Sequence, residues 1–196
     1  MHEDTPRQLV HLSGLVFVYI AQFLTKAESI IVFFSIAAFF FLYAEYVTRS
    51  KPVFGFRKLV YLFEKRNSSR PFVGAFWFYV GVGIAFALFP LNIASASAAI
   101  LAVGDSFSTI FGLNFGKHKI NGKKSLEGST GFLIGSFLIS LFFVNPVLGF
   151  VGAFVGTIVE LLTPHKVGGK KTCWFYDDNL LIPVISGGVM FALFIL

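Results

Sequence analysis

The sequence predicts an all-α integral membrane protein of about seven transmembrane helices plus one interfacial amphipathic helix, with its N-terminus in the cytoplasm. Three observations predict it. The 196 residues are 56% hydrophobic and only 13% charged, whereas a soluble domain is about 45–50% apolar and about 25% charged. Long apolar runs recur through almost the whole chain. Fifteen of the sixteen Lys and Arg residues fall in the segment before the first run and in alternate connections after it. A chain this apolar, with 27 Phe, cannot cover a water-facing surface and is equally unlike a disordered one. A single domain over 1–196 is expected.

Crossing the hydrocarbon core takes about 20 apolar residues. The runs that approach this length are Leu9–Phe23, Ile30–Val47, Phe72–Phe89, Ile93–Leu113, Gly131–Val144, Pro146–Leu162 and Leu180–Leu196. The first and fifth are the shortest. No cleavable leader is expected, because MHEDTPRQ is polar and no small-residue cleavage pattern follows the first run. Seven basic residues lie between the second and third runs, four after the fourth and three after the sixth. Arg7 precedes the first run, and Lys26 alone lies on the other side. The positive-inside rule then puts the N-terminus and these basic loops in the cytoplasm. The net charge of +6 is therefore mostly topology, which argues against a nucleic-acid partner. In the second connection Phe56, Leu59, Val60 and Phe63 recur at helical spacing opposite Arg57, Lys58, Glu64 and Lys65, the pattern of a helix lying in the interface. Asn67-Ser68-Ser69 is a formal glycosylation sequon on the cytoplasmic side.

Charge inside a membrane is costly, about 2.5–3.5 kcal/mol at the bilayer centre, and so marks function by default. Three carboxylates sit late in apolar runs: Glu45, Asp105 and Glu160. Glu45 and Glu160 are also placed where a helix-end carboxylate reaches headgroup water. Asp105 shares a helical face with Ser108, Thr109 and Gly112 at i+3, i+4 and i+7. The pairs Gly112/Gly116, Gly131/Gly135 and Gly152/Gly156 have the spacing that lets membrane helices pack closely.

Two cytoplasmic stretches carry candidate chemistry. Asn114–Ser129 (NFGKHKINGKKSLEGS) holds four Lys, one His and three Gly just before the fifth run. Glycines admit a ligand close to the backbone, lysines supply point charges, and a helix N-terminus favours an anion. The stretch suits a polyphosphate, although neither the G-x-x-x-x-G-K-[ST] nor the GxGxxG pattern matches; a short basic inside loop is the plainer alternative. Asp177-Asp178-Asn179 leads into the seventh run. Such residues serve as helix caps or as a Mg²⁺ site, since Mg²⁺ takes one or two carboxylates plus phosphate and water oxygens. The single Cys173 and four scattered His exclude a disulfide and a dense His/Cys metal cage. Together, Asp105, the Lys-rich stretch and the Asp pair are the parts for phosphoryl or nucleotidyl transfer to a lipid acceptor.

GDSFSTIFGLNFGKHKINGKKSLEGSTG (Gly104–Gly131), Glu160 and DDNLLIP (Asp177–Pro183) resemble the polyprenol kinase family, which includes dolichol kinases, phytol kinases and CTP-dependent diacylglycerol kinases. Arg7-Gln8-Leu9-Val10-His11 is similar to that family's R-K-x-x-H opening, with Gln8 in place of the usual Lys, and Glu45 to its acidic residue late in the second span. The resemblance implies transfer of the γ-phosphate of CTP, with Mg²⁺, to a membrane isoprenoid alcohol: polyprenol or dolichol first, geranylgeraniol or phytol next, diacylglycerol last. It implies Asp105, Asp178 and Glu160 as catalytic residues and Asp105, Asp177 and Asp178 as metal ligands. Gly104, Ser108, Gly112, Lys117, Lys119, Lys123, Lys124, Ser125, Glu127, Gly128 and Asn179 are expected at the nucleotide, and Arg7, His11 and Glu45 at a lipid headgroup or phosphate. The active site would face the cytoplasm of a multi-pass protein.

Phosphatidate cytidylyltransferases carry a similar Gly-Asp…Lys-Lys-Ser/Thr-x-Glu-Gly stretch, but their H-G-G-x-x-D-R-x-D type ending is absent. A transporter with Asp105 and Asp178 on its pathway is the third reading, disfavoured by the lack of an internal repeat. Neither the acceptor's chain length nor the oligomeric state is encoded.

Overall fold

The computed structural model describes residues 5–49, 72–121, 124–163 and 177–196. The interfacial helix over Phe56–Lys65, the sequon, Lys123 and the basic residues Lys166, Lys170 and Lys171 lie outside the described residues. Among the described residues there are seven α-helices: α1 (Thr5–Ile20), α2 (Lys26–Arg49), α3 (Val73–Leu88), α4 (Leu91–Phe115), α5 (Leu126–Ser140), α6 (Pro146–Leu162) and α7 (Asp178–Phe194). A short 3₁₀ turn, Ala21–Phe23, follows α1. Each of the seven apolar runs thus contains a helix.

The helix starts are chemically explicit. Thr25 and Glu28 form a capping box before α2: the Thr25 amide donates to Glu28 Oε2 at 2.8 Å and the Glu28 amide to Thr25 Oγ1 at 3.3 Å. Asn145 caps α6 by accepting from the Leu148 amide at 3.0 Å, with Pro146 at the first helical position. Ser125 caps α5, accepting from the Gly128 amide at 3.2 Å. That cap starts α5 five residues before the Gly131 expected from hydropathy, and the expected end gives way to a turn over Leu141–Val144. Hydropathy missed this start because the first turn, Leu126–Ser129, carries polar side chains.

Two helices, α2 and α4, are long and apolar enough to cross a membrane; α3, α5, α6 and α7 are apolar but shorter, at 15–17 residues. At about 1.5 Å per residue these span about 22–26 Å, less than a hydrocarbon core of about 30 Å.

α4 is the central element. Every residue from Ile93 to Gly104 is buried, and α1, α3, α5, α6 and α7 all pack on it, α5 most extensively. The run Ala94-Ser95-Ala96-Ser97-Ala98-Ala99 makes this possible, since small side chains let helix backbones approach. The Ser136 hydroxyl of α5 donates across the interface to the Ile100 carbonyl at 3.1 Å. The Gln22 amide, following α1, donates to Ser95 Oγ at 2.7 Å, near the start of α4.

The fold also departs from all-α. Lys119–Asn121 (β1) and Lys124–Ser125 (β2) pair antiparallel, Lys119 opposite Ser125 and Asn121 opposite Lys124. The signal was present in Asn121-Gly122, a dipeptide that favours tight hairpin turns.

Candidate active site

Four element ends meet around the hairpin: the C-terminal part of α4, the start of α5, the end of α6 and the start of α7. Close backbone approach holds the first two together. A Cβ on Gly128 would lie 3.0 Å from the Ser108 carbonyl and 3.4 Å from Gly112 Cα. Gly112 and Gly128 therefore join α4 to α5, and Gly116 turns tightly over the Gly112 carbonyl to launch the hairpin. The Leu126 amide bonds the His118 carbonyl at 2.9 Å, tying the hairpin to α5.

At the centre are Lys124 and Glu160, 9% and 6% exposed. Lys124 Nζ lies 3.2 Å from Glu160 Oε1 and also donates to the Glu160 backbone carbonyl. Glu160 Oε2 is buried without a hydrogen-bond partner. Glu160 also lies within electrostatic reach of Asp105 and Asp178, residues 55 positions before it and 18 after it. The tertiary fold thus gathers Asp105, Lys124, Glu160 and Asp178 from four elements.

Asp177 caps α7. Its Oδ1 accepts from the Asn179 side-chain amide at 2.8 Å and the Asn179 backbone amide at 3.2 Å, and Asp178 Oδ1 accepts from the latter at 3.1 Å. Burial, and then the neighbouring Asp178 charge, push the Asp177 carboxyl up to about 6. The capping role considered for this motif is therefore real. Gly81 on α3 seats α7 tightly: a Cβ there would lie 2.6 Å from the Asn179 carbonyl and 3.0 Å from Pro183 Cγ. Gly81 had no sequence signal beyond its being glycine.

The remaining expected residues are distributed unequally. Lys117 and Lys119 are exposed. Glu127 faces the hairpin rather than open solvent: its Oε1 is 2.7 Å from His118 Nδ1, and both its oxygens accept from the His118 amide at 3.3 Å. Gly104 is at a helix contact, where a Cβ would lie 2.7 Å from the Phe132 ring. Glu45 pairs with Arg49 one turn on, at 2.8 Å; that i,i+4 spacing was visible in the sequence and Arg49 was not singled out. Arg7 and His11 belong to α1.

Electrostatically the site is rich in carboxylate: Asp105, Glu160, Asp177 and Asp178 accompany one buried ammonium, that of Lys124. Among the described residues no group of three or more His, Cys, Asp or Glu side chains converges to hold a metal alone. One or two of these carboxylates with phosphate and water oxygens is nevertheless the set Mg²⁺ prefers, and Glu160 Oε2 beside them is buried without a hydrogen-bond partner. The residues fit that ion.

The fold and site together define an apolar helical bundle with carboxylates and a basic hairpin gathered at one end. The comparisons make the class specific: the chain's curated homologues are lipid kinases. Over 139 residues it is 28% identical to CTP-dependent diacylglycerol kinase 1 of Schizosaccharomyces pombe, a match covering 61% of this chain and 60% of that protein. Over 115 residues it is 33% identical to probable phytol kinase 1, chloroplastic, of Glycine max, covering 50% of this chain and 35% of that one. The chain therefore spans less than two thirds of the length of either relative. The resemblance read from the Gly104–Gly131 and Asp177–Pro183 motifs is borne out by these relatives. No family profile matches the chain, and no solved structure matches it.

Proposed function

We propose that this protein is a CTP-dependent lipid kinase, transferring the γ-phosphate of CTP to the hydroxyl of a membrane lipid alcohol. One observation carries the reading: Asp105, Glu160 and Asp178, remote in sequence, share one electrostatic site beside the hairpin lysine Lys124. The relatives support the donor and the reaction class. Their named substrates put diacylglycerol and phytol ahead of polyprenol and dolichol in the panel to be tested.

Phosphoryl transfer is mainly positioning and charge neutralisation. The exposed Lys117 and Lys119 meet the donor phosphates as cations. Mg²⁺, when bound by Asp105 and one of Asp177 or Asp178, would offset charge on the phosphates. The other aspartate of the pair accepts the proton of the lipid hydroxyl. The hydroxyl oxygen bonds the γ-phosphorus as the bond from that phosphorus to the β–γ bridging oxygen breaks, and CDP leaves. Glu160 is a poor candidate for the base, because Lys124 holds it in a buried pair.

The chain is a multi-pass protein with this site on the cytoplasmic face. The alternation of Lys and Arg along the sequence supports that orientation. So does the meeting of the α4 and α6 C-terminal parts with the start of α7 at one end of the bundle.

The test is transfer of radiolabelled γ-phosphate from CTP, and in parallel from ATP, to diacylglycerol, phytol, geranylgeraniol and dolichol in mixed micelles. Labelled lipid monophosphate with release of CDP is the expected result. With phosphatidate added as a further acceptor, release of pyrophosphate and formation of a CDP-lipid would instead identify a cytidylyltransferase.

A further inference from the structure

We infer that Lys124 is a positioning residue, a buried latch that docks the basic hairpin on the end of α6 through Glu160, and not one of the cations that contact the nucleotide phosphates. The inference rests on the reading of Lys117–Lys124 as the nucleotide segment.

The four-lysine run is divided by the fold. Lys117 and Lys119 are exposed. Five residues on from Lys119, the Lys124 side chain is only 8% exposed, and so is that of Glu160. Both acceptors that Lys124 reaches belong to one residue, the Glu160 carboxylate and the Glu160 backbone carbonyl. That carbonyl lies in the last turn of α6, where helical carbonyls lack intrahelical donors and the dipole is negative. A buried cation there satisfies an orphan acceptor and a side-chain charge together. For Lys124 to reach a phosphate it would have to abandon Glu160, leaving a buried carboxylate unpaired beside Asp105 and Asp178. Its position in the chain suits a latch. It belongs to β2, opposite Asn121, and precedes Ser125, the cap of α5. Holding Lys124 therefore sets both the hairpin that presents Lys117 and Lys119 and the first turn of α5.

The experiment uses the full chain in nanodiscs, with Lys124→Met, Lys124→Arg, Glu160→Gln and the Lys124→Met/Glu160→Gln double variant. Hydrogen exchange over 117–129 is followed without nucleotide, alongside steady-state kinetics with CTP and a diacylglycerol acceptor. A latch predicts about tenfold faster exchange in each single variant, confined to the hairpin and the first turn of α5. The double variant should exchange no faster than Lys124→Met, because Glu160→Gln removes part of the same interaction. The CTP KM should rise about tenfold in Lys124→Met with kcat changing less, and Lys124→Arg should recover most of it. Unchanged exchange in Lys124→Met and Glu160→Gln, or additive effects in the double variant, would overturn the latch. So would a loss confined to kcat in Lys124→Met. Should Lys124→Met not fold, Glu160→Gln, which keeps the backbone acceptor, carries the same comparison. If exchange responds as stated but the wild-type protein phosphorylates no lipid with CTP, the kinase reading fails and the latch stands.

Discussion

α2 and α4 are near twins in the sequence and opposites in the fold. They have 24 and 25 residues, both are apolar enough to cross a membrane, and each carries a carboxylate in its later part, Glu45 and Asp105. Yet 11% of the most apolar stretch of α2 is buried, against 56% for α4. The side chains explain the difference. α2 is lined with large residues such as Ile31, Phe39 and Leu42, each more than half exposed; it packs chiefly on α3, through Phe33 and Phe40. α4 has Ala, Ser and Gly on all sides, so five helices close around it. A helix lined with bulky apolar residues stays at the outside of the bundle, and one with small residues becomes the axis. The carboxylates follow their helices: Glu45 pairs locally with Arg49, whereas Asp105 joins Glu160 in a site shared between elements.

Changes on the two helices should therefore have unequal effects. The largest is expected at Asp105: Asp105→Asn should cut CTP-dependent lipid phosphorylation by about 10²–10⁴-fold while the variant keeps wild-type thermal unfolding, and Glu45→Gln should cost only a few-fold. Equal losses would erase the distinction between the two carboxylates. Chelation of divalent cations comes next. EDTA should abolish transfer and added Mg²⁺ restore it; activity that survives chelation would remove the metal from the Asp105 and Asp177/Asp178 assignment.

Packing variants sharpen the contrast through stability. Gly104→Val places a side chain against Phe132 and Ser136 and should destabilise by about 1–3 kcal/mol, as overpacking does; Leu42→Val on the outer face of α2 should be near neutral. Both are read by thermal unfolding in detergent. Ser136→Ala removes the bond to the Ile100 carbonyl and should cost about 1 kcal/mol. Smallest of all, Arg49→Gln breaks an exposed pair with Glu45, worth about 0.3–0.5 kcal/mol.

Much of this architecture was legible beforehand. All seven apolar runs contain helices, because hydropathy reports directly on the burial a helix seeks. The starts were less legible. α5 begins at Leu126 because of a Ser125 cap inside a polar stretch that hydropathy discounts. The hairpin was overlooked although Asn121-Gly122 announces a turn. In the site, the residue types of Asp105, Asp177, Asp178 and the lysines pointed to phosphate and metal chemistry. Nothing in the order of residues said that one lysine of the run would be buried against a glutamate 36 positions away, since lysine is ordinarily an exposed residue.

Composition and pattern alone determined the helical, membrane-suited character of the chain, the helices in its seven apolar runs and the alternation of its basic connections. Those properties are local, set by transfer of each side chain between water and an apolar medium. Only the tertiary structure decided which long helix became the axis, which glycines became helix contacts, and that Glu160 would join Asp105, Lys124 and Asp178. Those outcomes depend on which surfaces meet. The small residues of α4 admit several neighbours at once, and the helix ends they bring together bear the charges of the site.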